Sequence, residues 1–277
     1  MKYKFLVASD MDFTLLMPGK DCSSENLKAI QELRANGIAF TFATGRSSYM
    51  VGKYAKNLEI DIPIITSNGG ALYDYSTKNH IYSNDFTPRQ VRGILEYCLT
   101  SEDFIDLTGY STRGIYVRKN GKRNDFFANY NETADIEDRI PLFYLEPEIL
   151  DLPDEELPDF SKFLVIDASD AFNKPLYDNP ELEVCTSAPG FCDITPAGQT
   201  KGAALMKLAD YMGILHENVF ACGDNENDKS MLAACTHRIA MANATPGIKD
   251  LATFITKSCE EDGIAYAIRN YIIPHIS

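Results

Sequence analysis

The sequence predicts an α/β protein, an open parallel sheet interrupted by a second, inserted α/β domain. Three observations carry this expectation. Short apolar runs alternate with segments of helical period early in the chain, the same alternation resumes late, and the stretch between has a different texture.

The early half reads as strand, helix, strand, strand. Phe5 to Ala8 is a short apolar run, Leu27, Ile30 and Leu33 fall at helical spacing, and Ile38 to Ala43 and Ile62 to Thr66 are apolar again. Ser23 or Ser24 can cap the helix, and Gly37 can end it with a left-handed residue. The strand at Ile38 then runs parallel to the first, as right-handed crossovers require. In the late half Lys201 to Met212 reads as a helix closed by Gly213, Val219 to Cys222 as a strand and Lys229 to Ala234 as a helix. Ile239 to Ala242 is a further strand, and Thr245-Pro246 suits a helix start with Pro in the first turn.

Between these halves lie strands such as Gly114 to Arg118 and Lys162 to Ile166, with acidic, Pro-bearing connections around Pro147 to Pro158. The expected division is therefore a core of residues 1–84 and 189–277 and an insert of residues 85–188. The crossings are expected near Ser83 to Thr87 and Ser187 to Thr195, where Ser, Asn, Pro and Gly gather.

The 277 residues carry 40 acidic against 26 basic side chains, a formal charge of −14. That balance argues against extended contact with nucleic acid or an anionic membrane, both of which need clustered Lys and Arg. The richest basic stretch, Arg113 to Arg123, has the spacing of solvated strand and turn residues. The opening Met1-Lys2-Tyr3-Lys4 could begin a leader, but its apolar run meets Ser9 and Asp10 too soon and reads as a buried strand. No run of about 18 apolar residues occurs. The seven cysteines form no CxxC pair and are odd in number, as reduced, buried thiols of a cytoplasmic protein would be.

The first strand delivers Ser9-Asp10-Met11-Asp12-Phe13-Thr14 to its C-terminal end, where open α/β sheets place their sites. Two carboxylates at that spacing share a strand face and call for a cation or a shared proton. Oxygen ligands with no His or Cys nearby suit Mg2+ and disfavour zinc. Cys222-Gly223-Asp224-Asn225-Glu226-Asn227-Asp228 sets a second acidic cluster after another strand. Ala43-Thr44-Gly45-Arg46 offers a hydroxyl and backbone amides to a phosphate, and Lys201 puts a cation at a helix start, which is unfavourable unless an anion sits there. Each segment alone is compatible with ordinary turns and caps.

In this order the segments resemble the haloacid dehalogenase superfamily, specifically its Cof-type, class IIB phosphatases. Asp10-Met11-Asp12-Phe13-Thr14 resembles the nucleophile motif, Thr44-Gly45-Arg46 the second, Lys201 the third, and Gly223-Asp224 through Asn227-Asp228 the fourth; Ser67-Asn68-Gly69-Gly70 resembles the Asn-Gly turn of this branch. The resemblance implies a Rossmann-like core with a C2-type cap as the inserted domain. It implies Asp10 as nucleophile, Asp12 as acid and base, and Mg2+ on Asp10, the Asp12 carbonyl and Asp224, with Asp228 supporting them. Met11, Thr44, Gly45, Lys201 and Asn227 would bind the phosphoryl oxygens. The implied substrate is a small phosphate monoester, sugar phosphates first, handled by a monomer or weak homodimer. Fewer than ten residues separate Thr14 from the helix cap, so the resemblance makes the insert the lid, with Arg113, Tyr116 and Arg118 as candidates for specificity.

The branch usually carries Gly where this chain has Phe13, which bears on loop packing and reads simply as a core residue. His80, His216, His237 and His275 have no motif around them and read as structural or exposed. The distance to Lys201 argues against a receiver domain, and acids where GxGxxG should stand argue against a dinucleotide-binding dehydrogenase. A phosphomutase or phosphotransferase of the same superfamily is the alternative within the enzymes, and a non-catalytic phospho-ligand sensor the alternative outside them.

Overall fold

The computed structural model describes residues 3–17 and 19–276, the Glu137 side chain excepted. Met1 and Lys2, which open the stretch weighed as a leader, lie outside them. The chain divides into two compact units, one of Met1–Gly45, Val51–Tyr82 and Thr200–Ser277, the other of Arg46–Met50 and Ser83–Gln199.

The first unit opens with β1 (Phe5–Asp10), α1 (Ser24–Ala35) and β2 (Ile38–Ala43). Ser23 accepts the amide of Asn26 at 3.1 Å and so caps α1, whose Ala29, Ile30 and Leu33 are buried. Gly37 takes φ 70° just beyond the helix, and β1 and β2 pair in parallel. Next come α2 (Gly52–Asn57), β3 (Ile64–Thr66), β4 (Ala71–Asp74) and β5 (Asn79–Ser83).

The second unit holds α3 (Pro88–Leu99), β6 (Asp106–Ser111), β7 (Gly114–Val117), α4 (Lys122–Thr133), β8 (Leu142–Tyr144), β9 (Lys162–Ile166), α5 (Asp170–Tyr177), β10 (Leu182–Ala188) and β11 (Phe191–Pro196). The sheet runs β10-β11-β9-β6-β7-β8, antiparallel except for β7 with β8. One face packs Leu107, Phe163, Val165 and Ile194 with Val91 and Leu95 of α3, and the other packs Tyr110, Ile115, Val117 and Leu164 with Phe127 of α4. Because β11 pairs with β9 and β10, residues 189–199 belong to this unit, and the second crossing lies at 199/200 rather than 188/189.

The chain then returns to the first unit through α6 (Lys201–Met212), β12 (Val219–Gly223), α7 (Lys229–Ala234), β13 (His237–Ala240), α8 (Pro246–Leu251) and β14 (Phe254–Ile255). Thr200 caps α6 through the amide of Ala203, and Gly213 ends it in the left-handed region at φ 66°. The eight strands lie in the order β14-β13-β12-β1-β2-β3-β4-β5, with the pairs from β14 to β3 parallel. β1, β2 and β12 form the middle of the main apolar core, which is why they read as unbroken apolar runs rather than alternating ones.

No disulfide joins any of the seven cysteines, and burial pushes the thiols of Cys22, Cys98 and Cys235 up to about 12. His237 stacks on Phe220 at 4.1 Å, and His80 lies 5.1 Å from Tyr73. Tyr116 stacks on Phe143, and Arg118 is buried with its guanidinium donating to the carbonyl of Ile105, so both serve the packing of the second unit. No described helix is long and apolar enough to cross a membrane.

Candidate active site

The parallel order brings the C-terminal ends of β1, β2, β3 and β12 side by side within the first unit, and the loops that leave them carry the polar side chains. Carboxylate oxygens of Asp10, Asp224 and Asp228 lie within 4.8 Å of one another, and all three residues are buried. Lys201, wholly buried at the first position of α6, donates to Asp10 Oδ1 at 2.6 Å and to Asp228 Oδ1 at 2.7 Å. The cation that the helix dipole disfavours is thus held by two anions.

Two close approaches depend on glycine. A Cβ on Gly223 would stand 2.6 Å from the Asp228 Cβ, so only glycine lets Asp228 fold back against the end of β12. There its Oδ2 accepts the amides of Asp224 at 2.9 Å and Asn225 at 3.1 Å. Both oxygens of Asp228 are therefore committed to the protein. Gly69, at φ 96°, would place a Cβ 2.2 Å from the Thr200 carbonyl, so the turn after β3 can lie against the start of α6 only as glycine.

Burial, then the charges of Asp228 and Asp224, pushes the Asp10 carboxyl well above the usual carboxylate range against the pull of Lys201. Burial and Asp228 raise Asp224 to about 6, opposed by the hydroxyl of Thr14. Asp10 and Asp228 raise Lys201 against the opposing effect of burial, so it is firmly cationic. Three carboxylates around one ammonium leave two negative charges uncompensated. This oxygen-only set fits a hard divalent cation better than any other group.

The Thr44-Gly45 segment meets the second acidic segment through Asn68. The Asn68 amide donates to the Thr44 carbonyl at 3.0 Å, and its Oδ1 accepts from Asn227 at 3.4 Å. A Cβ on Gly45 would stand 3.1 Å from that same Oδ1. Asn68 Nδ2 is buried without a hydrogen-bond partner among the described residues, a donor beside Gly45 and Asn227 that lacks an acceptor. Met11 is buried after β1, whereas Asp12 is exposed and its carboxylate is not part of the three-carboxylate cluster.

Two contributions have no counterpart in the sequence reading. Thr14, fully buried, donates to Asp224 Oδ1 at 2.7 Å; it stands inside the first motif, which was the available signal. Asn243 donates to the Phe13 carbonyl at 2.9 Å and accepts the Cys259 amide at 2.9 Å, and nothing in the sequence around it marks that role. Phe13 itself is no core residue. It is 49% exposed and takes φ 64°, which costs a non-glycine residue about 1–2 kcal/mol. Its amide donates to the Leu16 carbonyl at 2.9 Å, so the tight loop after Asp12 imposes the conformation.

A Rossmann-like α/β core with buried acids and a lysine at its strand ends defines the class of a haloacid dehalogenase-like enzyme. The chain belongs to the haloacid dehalogenase-like hydrolase family, which it matches over residues 7–268, and within it to the Cof-type phosphatases. It is 32% identical to the 5-amino-6-(5-phospho-D-ribitylamino)uracil phosphatase YwtE of Bacillus subtilis, over 95% of this chain and 96% of that one. A putative phosphatase of Streptococcus pyogenes is 28% identical over 97% of this chain and 98% of its own length. Among solved structures, a haloacid dehalogenase-like hydrolase from B. subtilis superposes with a TM-score of 0.82 at 27% identity, covering 98% of this chain and all of the other.

Proposed function

We propose that the protein is a Mg2+-dependent phosphatase that hydrolyses small phosphate monoesters, sugar and sugar-alcohol phosphates first among them, through an aspartyl-phosphate on Asp10. The observation that carries this reading is the buried set of Asp10, Asp224 and Asp228 around Lys201. The substrate class draws support from the B. subtilis relative, whose named substrate carries its phosphate on a ribityl chain.

Mg2+ would be held by the Asp10 carboxylate, the Asp12 carbonyl and Asp224, where it would offset the negative charge of carboxylates and phosphate together. Asp228, with both oxygens engaged by Lys201 and backbone amides, would hold this arrangement rather than bind the ion. Lys201 fixes Asp10 through Oδ1, and the carboxylate attacks phosphorus as the bond to the ester oxygen breaks. Asp12 gives its proton to the departing alkoxide, which leaves as the alcohol. The same carboxylate then takes a proton from water as that water attacks the phosphorus of the acyl phosphate, releasing inorganic phosphate and restoring Asp10. The amides of Met11 and Gly45, the Thr44 hydroxyl, Lys201 and Asn227 would bind the phosphoryl oxygens, and the unsatisfied Nδ2 of Asn68 supplies one more donor.

The test is phosphate release from a panel of phosphorylated metabolites with Mg2+ and with EDTA, for the wild type and Asp10→Asn. Turnover should need the metal and fall at least about a thousandfold in the variant. Undiminished turnover in EDTA or in Asp10→Asn would overturn the mechanism. Phosphorylated sugar appearing in place of inorganic phosphate would favour the phosphotransferase alternative.

A further inference from the structure

We infer that the second unit carries a binding site for a free α-amino acid with an apolar side chain, set between α3 and α5. Arg89, Gly93 and Tyr97 fall four residues apart on one stripe of α3, and with Pro175, Leu176 and Glu181 they line a cavity of about 320 Å³. That volume suits a small molecule. Its lining comes from the second unit alone, so the inference stands apart from the phosphatase reading.

Three local choices around this cavity work against folding. Gly93 sits inside a helix of 12 residues, where glycine is a poor helix former, yet a Cβ there would meet no atom within 4 Å. The packing does not ask for glycine, and a larger side chain would extend into the cavity. Pro175 lies within α5 past its first turn, where it removes the amide that would otherwise bond to the Ala171 carbonyl. Arg89 stands in the first turn of α3, the end at which the helix dipole disfavours a cation, and no acidic residue shares that turn. Lys201 opens α6 under the same handicap and is answered by two carboxylates. Arg89 makes no ion pair or hydrogen bond through its side chain among the described residues. Local costs that converge on one concave surface mark a functional site.

The chemistry of the ligand follows from the lining. Ile94 and Leu176, both buried, and Leu182 supply apolar walls. The Tyr97 hydroxyl donates to the Phe172 carbonyl at 2.7 Å, Gln90 donates to the Glu181 carbonyl at 3.3 Å, and Asn179 Oδ1 accepts the Glu181 amide at 2.9 Å. These bonds tie α3 to α5 and to the start of β10, so the cavity is formed before a ligand enters. Two charged groups are left over. The Arg89 guanidinium and the Glu181 carboxylate are exposed and opposite in sign, and neither is paired among the described residues. A molecule that answers both offers a carboxylate to Arg89, an ammonium to Glu181 and an apolar body to the walls. An apolar α-amino acid is the smallest such molecule.

The experiment is calorimetric titration of the full-length wild type, Gly93→Leu and Arg89→Met with leucine, with phenylalanine and, for each, with the deaminated acid and the decarboxylated amine. Wild type should bind leucine or phenylalanine with a Kd below about 1 mM. The matching acid and amine should bind at least about tenfold more weakly, and Arg89→Met should lose about tenfold for the amino acid. Gly93→Leu should abolish binding without lowering the melting temperature, because leucine is the better helix former, which separates a filled site from a damaged fold. No binding of either amino acid up to about 10 mM would overturn the inference. So would an acid or amine that binds as tightly as its parent, or undiminished affinity in Gly93→Leu or Arg89→Met.

Discussion

Lys201 Nζ stands 2.6 Å from Asp10 Oδ1 with no part of the lysine side chain exposed, so the proposed nucleophile and the buried cation it pairs with form one electrostatic unit with Asp228. Replacing Lys201 by Met leaves two carboxylates buried and repelling each other. The expected loss is about 3–5 kcal/mol of stability in thermal or urea unfolding. Turnover should fall about a hundredfold or more. Adding Asp228→Asn to Lys201→Met should recover much of the stability and none of the activity. A double variant as unstable as the single one would show that charge is not what Lys201 balances.

Thr14 acts at the Asp224 end of the same unit, where Mg2+ is proposed to bind. Its hydroxyl donates to Asp224 Oδ1 at 2.7 Å, and that bond fixes the carboxylate's orientation. Thr14→Val keeps the shape and removes the donor, so the Mg2+ concentration for half-maximal activity should rise about tenfold, with kcat at saturating metal much less affected. Thr14→Ser should restore the wild-type requirement. Calorimetric titration of Mg2+ checks the same change without turnover, and an identical metal affinity in Thr14→Val would refute the role.

The raised carboxyls predict how stability responds to pH. Asp224 titrates at about 6 in the native state, against about 3.9 in an unfolded chain, and Asp10 moves in the same direction. A carboxyl whose folded pKa is raised stabilises the native state while protonated, so that contribution is complete below about pH 4 and is lost as pH rises through about 6. In EDTA the melting temperature should therefore fall between about pH 4 and about pH 6, less steeply in Asp224→Asn. Mg2+ binds the ionised form, so the rise in melting temperature that it causes should be larger at the upper end of this window. A Mg2+ effect of the same size at both ends would count against a metal on these carboxylates.

The parallel core was legible because β1, β2 and β12 are buried on both faces and therefore read as unbroken apolar runs, with Ser23, Gly37 and Gly213 marking helix ends. Lys201 was legible for an electrostatic reason, since a cation at a helix start calls for an anion. The second crossing was not, because β11 is assigned by its partners β9 and β10, which lie elsewhere in the chain. Phe13 misled for a related reason. A phenylalanine reads as core on its apolar side chain alone, even between Asp12 and Thr14, whereas its backbone is held in the left-handed region by a loop that the Leu16 and Asn243 hydrogen bonds fix. The link of Asn68 to Asn227 spans 159 residues, a juxtaposition that local pattern does not encode.

The second unit contains its own buried ion pair, and its behaviour can be separated from the chemistry. Lys162 of β9 donates to Asp193 of β11 at 2.6 Å, both nearly without exposure, while Ser187 donates to the other Asp193 oxygen. Asp193 raises Lys162 against the burial that alone would lower it, so the lysine stays cationic at neutral pH. Lys162→Met leaves a buried carboxylate whose remaining side-chain partner among the described residues is the Ser187 hydroxyl, and should cost about 3–5 kcal/mol in denaturant unfolding. Lys162→Met with Asp193→Leu removes both charges, and apolar side chains of similar size commonly replace such a pair at little net cost. The double variant should therefore unfold within about 1–2 kcal/mol of wild type. If instead the two losses add, the sheet needs the pair for its geometry and not merely for charge balance.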